Sequence, residues 1–318
     1  MISLLLALLL PMQLRNETTP KRRLDANQRI YNISYSADDR WLGVACESGV
    51  LFIDASGRRN LLRVARHEAD VIAERTGQEF LISSKDGIFT CLPDSANITV
   101  SKPLTDVPAL TLALSDDSKL IICATFSTVY LIDRNTGREL GSMSSSGRII
   151  GRPIGIHDGC AVCLYGEAPN DNGEIDVFRK SPAGIRIDRR TFSSGINAIA
   201  SDGRSNKIYA ADVAGKVYSV ASSTWKKRLL GRPSGEGVNC MSASPKGTLL
   251  ALGYKRNYKY RTGANRLVVL STRTGRKAAD HTLADGVEAI CWSHDGMWLT
   301  VAVRDGTILT YRSPRGAR

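Results

Sequence analysis

The sequence predicts an all-β fold, and three observations support this prediction. Short apolar runs alternate with polar residues at a period of two, turn sequences such as Asp-Gly separate the runs, and the whole pattern recurs along the chain. The clearest copy is Val287–Arg312, which holds the runs VEAICW, MWLTVAV and TILTY. Ser293–Gly296 joins the first two runs and Arg304–Gly306 joins the second pair, as expected for a meander of antiparallel strands.

The same order of runs and turns occurs seven times. The turns that join the first two runs are roughly 40 residues apart, a period typical of propeller blades with four strands each. They begin at Ser36, Arg75, Ser115, Ile156, Ser201, Ser244 and Ser293. Because one four-stranded sheet cannot bury both of its faces, neighbouring blades must complete each other's core. We therefore predict a seven-bladed β-propeller of four-stranded antiparallel blades.

The seventh unit lacks a fourth strand after its TILTYR run. Pro20–Ala26 stands in the same register to Ile30 as Lys277–Leu283 does to Val287. We predict that Pro20–Ala26 supplies the outer strand of the last blade, so that both chain ends close the ring and remove a free sheet edge. The expected organisation is a hydrophobic segment at residues 1–15 and a single propeller domain at residues 16–318.

Several units resemble the tryptophan–aspartate (WD) repeat and the related YVTN-type propellers. The resemblance runs from Ile30 to Arg312 and is clearest in ISYSADDRWLGVACESGVLFIDASGRR (33–59) and AICWSHDGMWLTVAVRDGTILTYR (289–312). VYLIDRNTGREL (129–140) repeats its apolar third strand and Thr-Gly turn. The units lack the Gly-His and Trp-Asp pairs of a full WD repeat, so that family's Trp–Ser/Thr–Asp–His network is not carried over to any blade. The resemblance implies a non-enzymatic scaffold that mediates protein–protein interaction.

The net charge is unevenly distributed along the chain. The formal charge is +12, yet residues 1–159 hold 18 Lys and Arg against 18 Asp and Glu. The whole excess lies in residues 160–318, with 25 basic and 13 acidic residues. Such asymmetry indicates an acidic partner, namely nucleic acid, an anionic membrane or an acidic protein, and it is equally typical of a surface that is simply basic and soluble.

The apolar stretch at residues 2–12 (ISLLLALLLPM) is too short to span a bilayer. It has the length of a signal-peptide core, but no Lys or Arg precedes it and no small-residue cleavage site follows it. A poor signal peptide, a membrane tether and a segment packed on the domain are all compatible with it. The seven cysteines lack the spacing of a disulfide framework, which favours a reducing compartment. We expect a cytoplasmic protein without an integral membrane span; export or tethering through residues 2–12 is the alternative.

Candidate metal ligands are few. Cys160 and Cys163 form a CxxC, but residues three apart in a strand point to opposite faces and cannot readily hold one ion. The fourth unit also contains carboxylates without the ligand spacing of an EF-hand: Glu167, Asp171, Glu174 and Asp176. We expect neither a metal nor another cofactor.

Catalytic motifs are also missing from the sequence. It has no G-x-S-x-G elbow, Walker loop or HExxH. His157 and His294 occupy equivalent turns, each followed by Asp-Gly, which makes them repeat residues. We predict a non-enzymatic protein. A propeller enzyme with a site in the central channel is the remaining alternative, because such a site draws single residues from several blades.

Two loops between second and third strands are long, Gly166–Gly173 and Lys255–Ala264, and antiparallel topology puts both on one rim. Ala251–Ala279, which contains the second loop, has eight Lys or Arg and no acidic residue. Cations with interleaved tyrosines suit a single-stranded nucleic-acid contact, and a solvated basic hairpin tip has the same composition. The candidate partner-binding residues are Tyr254, Lys255, Arg256, Tyr258, Lys259, Tyr260 and Arg261. We expect a monomeric propeller with protein partners; nucleic acid or another polyanion is the alternative partner of the basic half.

Overall fold

The computed structural model describes residues 22–26, 28–55, 61–64, 70–74, 77–94, 97–145, 149–165, 172–181, 184–202, 206–234, 237–255 and 263–314. Within these ranges the chain forms 29 strands in seven antiparallel sheets, which confirms the predicted all-β, seven-bladed propeller. The described part of the chain contains no helical segment with the length and apolar character that crossing a membrane requires.

We name the strands of each blade A to D from the central axis outwards. Blade 1 contains β2 (Ile30–Tyr35), β3 (Trp41–Cys46), β4 (Gly49–Asp54) and β5 (Leu61–Val64). Blade 2 contains β6 (Asp70–Ala73), β7 (Phe80–Ser84), β8 (Gly87–Pro93) and β9 (Ile98–Val100). Blade 3 contains β10 (Thr111–Leu114), β11 (Leu120–Ala124), β12 (Thr128–Asp133) and β13 (Glu139–Ser144). Blade 4 contains β14 (Ile149–Ile150), β15 (Ile154–Ile156), β16 (Gly159–Tyr165), β17 (Gly173–Ser181) and β18 (Gly184–Phe192).

The remaining three blades follow the same order. Blade 5 contains β19 (Ile196–Ser201), β20 (Lys207–Asp212), β21 (Val217–Ala221) and β22 (Lys227–Gly231). Blade 6 contains β23 (Val238–Ala243), β24 (Leu249–Tyr254), β25 (Arg266–Ser271) and β26 (Lys277–Thr282). Blade 7 contains β27 (Val287–Trp292), β28 (Trp298–Val303), β29 (Thr307–Arg312) and β1 (Arg22–Asp25). Since successive strands are antiparallel, the A–B and C–D turns share one face (the A–B face), and the B–C and D–A connections share the other (the B–C face).

The core lies between the blades, as the repeat pattern predicts. Each of the seven buried clusters in the described residues combines side chains from two adjacent blades. The cluster between blades 1 and 2, for example, contains Trp41, Phe52 and Phe80, and the two phenylalanine rings meet edge to face at 4.9 Å. In a sheet packed on both sides in this way both faces of the B strands are covered, and β3, β7, β11 and β24 are buried at every residue.

The A–B turns of blades 1, 3 and 7 share a hydrogen-bond pattern. In blade 1 the Ser36 hydroxyl donates to Asp38 (2.6 Å) and accepts from the Trp41 N–H (2.9 Å). The residue at the fourth position takes a left-handed conformation, with φ of 59° at Asp39 and 72° at Gly296. The Ser-x-Asp-Gly pattern in the sequence is therefore turn chemistry, as predicted.

The ring closes between the two ends of the chain. β1 pairs antiparallel with β29, from Arg22 opposite Thr310 to Asp25 opposite Thr307, and the Ala26 N–H continues the ladder to the Gly306 carbonyl at 2.9 Å. This confirms that the segment Pro20–Ala26 contains the outer strand of the last blade. At the same seam, the Tyr35 hydroxyl of blade 1 lies 2.7 Å from the hydroxyl of Thr300 in blade 7.

Blade 4 departs from the regular pattern. Its A strand is interrupted at residues 151–153, and the two pieces, β14 and β15, both pair with β16. Pro153 cannot donate to a ladder, which accounts for the interruption. Arg152 is thereby released from strand geometry at the central channel.

Candidate interaction surfaces and the central channel

The two long loops of the B–C face lie mostly outside the described residues. They join β16 to β17 and β24 to β25, so both start and end on the B–C face, two blades apart, as the sequence predicted. Residues 166–171 and 256–262 are not described. Of the candidate partner-binding residues, five therefore lie outside the described part of the chain: Arg256, Tyr258, Lys259, Tyr260 and Arg261.

The other two candidates, Tyr254 and Lys255, are described and make contacts inside the propeller. Tyr254 ends β24 with no exposed surface, and it packs with Leu252 in the core between blades 5 and 6. Lys255 Nζ lies 2.9 Å from Glu288 Oε1 in blade 7. The signal in the sequence for the burial of Tyr254 is its position two residues after Leu252, because residues two apart face the same side of a strand. A partner-binding role for the segment as a whole stays a prediction.

Phe126 is an exposed aromatic residue on the same B–C face. It sits in the turn between β11 and β12 of blade 3, next to the blade that carries the first long loop, and is 80% exposed. Its turn is held by the Thr125 N–H, which donates to the Thr128 carbonyl (2.9 Å), and by the Thr128 N–H, which donates to the Thr125 hydroxyl (3.0 Å). The sequence pattern did not single out Phe126, because an isolated aromatic in a turn has no periodicity that reveals its exposure.

A cavity of about 490 Å³ runs along the axis and is lined by the A strands of all seven blades. Tyr35, Met241 and Trp292 contribute to its walls. At the A–B face, its lining includes Asp202 and His294. Among the described residues that line the cavity, Asp202 is the acidic one and His294 is the histidine. Within the described ranges, no group of three His, Cys, Asp or Glu side chains converges to hold a metal ion.

Arg152 crosses the channel from blade 4. Its Nη2 donates to Asp70 Oδ1 and to the Tyr31 carbonyl, each at 3.2 Å. Asp70 is 1% exposed and also accepts from the N–H groups of Val71 (2.9 Å) and Leu112 (3.0 Å). A buried carboxylate is tolerable when a cation and several donors satisfy it, so the pair braces four blades across the channel. In the sequence, the sign of this contact is the Gly-Arg-Pro at residues 151–153, which interrupts an apolar A strand.

The predicted separation of the CxxC cysteines is confirmed. Cys160 packs between blades 3 and 4, and Cys163 packs between blades 4 and 5, so the two thiols lie on opposite faces of β16. Burial raises the pKa of the Cys163 thiol to about 12. Neither thiol forms a disulfide.

Two of the blade 4 carboxylates serve an internal ion pair. Asp176 is fully buried and accepts two hydrogen bonds from the Arg189 guanidinium, both at 2.7 Å. Glu174 lies 3.4 Å from the same guanidinium. The remaining carboxylates considered in the sequence, Glu167 and Asp171, lie outside the described residues.

His157 and His294 both lie in A–B turns, as the repeat comparison predicted. At the closing seam, the backbone N–H groups of His294 and Asp295 donate to the Asp39 carboxylate at 2.6 and 2.9 Å, and His294 Nδ1 lies 3.3 Å from it. Partial burial opposes ionisation of Asp39, yet these hydrogen bonds outweigh it and lower the pKa of that carboxyl. Asp39 and His294 thus join blade 1 to blade 7.

Comparison with known proteins agrees with this architecture. Residues 276–311 match the sequence profile of the family described as WD domain, G-beta repeat. The match begins near β26, the outer strand of blade 6, and continues through the first three strands of blade 7. No curated protein sequence matches the chain.

One solved structure that the fold resembles is a chain in the "Crystal Structure of Mitotic Checkpoint Complex". The two share 15% sequence identity with a TM-score of 0.72, over 95% of this chain and 94% of the other. In total 1466 solved chains are similar, so the fold by itself selects no function. The chain is a seven-bladed β-propeller whose last blade carries a recognisable WD repeat.

Proposed function

We propose that this protein is a non-enzymatic scaffold that binds other proteins through the B–C face of its propeller. The observation that carries the proposal is Phe126, a large aromatic side chain that is 80% exposed. Aromatic residues, phenylalanine among them, are enriched in protein–protein interfaces relative to the rest of a protein surface. The resemblance to WD repeats supports the same function by analogy.

The turn that presents Phe126 suits such a role. The hydrogen bonds between Thr125 and Thr128 hold the backbone on both sides of Phe126. A partner that covers the ring therefore orders one side chain and leaves the loop as it was, which lowers the entropic cost of association. The strands that flank the long loop of blade 4, β16 and β17, are joined on this same face, in the blade next to the one that presents Phe126.

The test is affinity capture with tagged protein from its native source, followed by quantitative mass spectrometry. Phe126→Asp should lose the bound proteins that wild type retains, because a carboxylate cannot replace the apolar contact. Met297→Asp is the matched control, since Met297 is 49% exposed in an A–B turn on the opposite face. The proposal fails if both variants retain the same proteins as wild type, or if both lose them equally.

A second candidate function is nucleic-acid binding through the blade 6 loop. It is supported by the acid-free stretch Ala251–Ala279, although Tyr254 and Lys255 make internal contacts. Lys255→Glu/Lys259→Glu should abolish salt-dependent binding of single-stranded RNA if the loop is the site. Unchanged affinity in this variant, with its thermal stability measured in parallel, would exclude the loop. A channel enzyme, the third possibility, has Asp202 and His294 as the acidic and histidine groups of its described lining.

A further inference from the structure

The A–B face of blades 5 and 6 presents a group of exposed cations, which we name the basic sector. These side chains sit in or beside the A–B and C–D turns, and none forms an ion pair within the described part of the chain. They are Lys207, Lys226, Lys246, Arg273 and Arg276. Lys and Arg side chains on a folded surface usually alternate with acids, so this concentration calls for an explanation.

The blade 6 part of the basic sector is fixed from blade 5. Arg228 donates to the carbonyls of Thr272 (2.6 Å) and Arg273 (3.0 Å), which ties the C–D turn of blade 6 to the outer strand of blade 5. The backbone of this turn is therefore positioned by contacts that leave the Arg273 side chain exposed. The cations of the two blades consequently form one surface.

The repeats themselves supply a control for the C–D turns. In blade 3, Asp133 accepts hydrogen bonds from the N–H groups of Asn135 and Thr136, both at 3.1 Å. Ala221 in blade 5 and Ser271 in blade 6 make the same backbone hydrogen bonds as Asp133 and are therefore its equivalents. The blade 3 turn, residues 133–139, balances two acids with two bases, whereas those of blades 5 and 6 contain two and three bases and no acid.

The A–B turn of blade 6 differs in the same sense. In blades 1, 3 and 7 the third residue of the A–B turn is an aspartate: Asp38, Asp117 and Asp295. Each of these carboxylates accepts a hydrogen bond from the serine that begins its turn. Blade 6 has Lys246 at this position. Among the described turn residues of blades 5 and 6 on this face, the one carboxylate is that of Asp202, which is 9% exposed and packs against Gly247, so the exposed charges of these turns are basic.

We infer that the basic sector binds an acidic segment of a partner protein. Charge complementarity of this kind steers association and fixes register. Nucleic acid fits the surface less well, because single strands are held by base stacking on exposed aromatic rings. In this sector Tyr209 is 1% exposed, and Trp225 packs against the core between blades 4 and 5.

The neighbouring blades also favour a short ligand. Beyond blade 6, the same face presents the exposed carboxylates of Asp295 in blade 7 and Asp38 in blade 1. An extended phosphate backbone that ran past the basic sector would meet these charges, whereas a short acidic segment ends before them. The surface is opposite the one that holds Phe126, so this inference adds a second contact to the proposed function and does not depend on the first.

The experiment is fluorescence anisotropy with the full chain and a labelled peptide of alternating glutamate and serine. Lys246→Glu/Arg276→Glu should weaken binding about tenfold, because two attractive contacts become repulsive. Lys119→Glu/Arg138→Glu is the matched control, since these residues occupy the A–B and C–D turns of blade 3 and the change in net charge is the same. The control should bind nearly as wild type does, and Phe126→Asp should bind normally.

Four outcomes overturn the inference. Equal weakening in both charge variants would mean that net charge alone drives binding, and equal affinity in all variants would exclude the basic sector. If single-stranded or duplex DNA of matched charge binds more tightly than the peptide, and only Lys246→Glu/Arg276→Glu loses this binding, the surface is assigned to nucleic acid. If the glutamate variant unfolds, Lys246→Gln/Arg276→Gln tests the same site without introducing repulsion. This variant should weaken peptide binding less than Lys246→Glu/Arg276→Glu does. Wild-type affinity in the glutamine variant would exclude the basic sector.

Discussion

Replacing Asp39 by glycine should loosen the seam between the first and last blades. The change deprives the backbone N–H groups of His294 and Asp295 of their acceptor. Hydrogen bonds to charged groups are worth about 1.5–3 kcal/mol each when buried, and Asp39 is 21% exposed, so we expect a combined loss of about 2–3 kcal/mol. Chemical denaturation measures this loss directly.

Ser118→Gly is the control for the backbone. Ser118 occupies the same turn position in blade 3 and has φ of 56°, against 59° at Asp39. Both substitutions relieve the cost of a left-handed conformation equally, so their difference reports the inter-blade hydrogen bonds. If the two variants have the same free energy of unfolding relative to wild type, the reasoning about the seam is refuted.

The effect of Asp39 should also depend on pH. Because the folded-state pKa of this carboxyl is lowered, its contribution to stability is fully present above the ordinary aspartate pKa of about 4. The contribution declines as the pH falls through the folded-state pKa, since the protonated carboxyl accepts more weakly. The difference in unfolding free energy between wild type and Asp39→Gly should therefore shrink in acid, and a difference that grows in acid would contradict the assignment.

Further predictions concern backbone, ring closure and thiols. Gly275→Ala should destabilise the fold by about 2 kcal/mol or more, because Gly275 has φ of +72° and an added Cβ would lie 1.9 Å from the Leu230 carbonyl oxygen. Gly77 has φ of +81° with open space around it, so Gly77→Ala should cost about 1 kcal/mol in the same denaturation assay. Removing residues 1–26 should lower the melting temperature sharply by exposing the edge of β29, and an unchanged value would count against the closure. The buried thiols of the native protein should react slowly with Ellman's reagent, because burial raises the pKa of Cys123 and Cys163 to about 12; a full count of seven fast thiols would disprove this.

Much of the architecture could be predicted from local patterns, because propeller blades repeat the same physics. Ser36 and Ser293 are residue types that favour turns, and the apolar run of β27 predicts a strand that is buried along nearly its whole length. The closing strand could be located because its register to Ile30 copies that of another blade. Each of these inferences needed only neighbouring residues or a repeat to compare with.

The candidate surfaces were harder to predict, since they depend on positions that the repeat does not determine. The contact between Arg152 and Asp70 joins residues far apart in sequence, and no spacing rule connects them. The basic excess of the second half was visible, but strand direction had to be known before Lys246 and Arg276 could be assigned to one face. The composition of the blade 6 loop predicted a binding segment, whereas the cations of the short turns are single residues that no local pattern distinguishes.

The pairing of β1 with β29 has a consequence for how the protein is made. Arg22 is synthesised 288 residues before its partner Thr310 (310 − 22). At about 5–20 residues per second, roughly 15–60 s separate the two on the ribosome. During that interval the other blades can form in order, while the first strand waits without its partner. A factor that shields this strand until β29 has been synthesised would therefore raise the yield of closed rings.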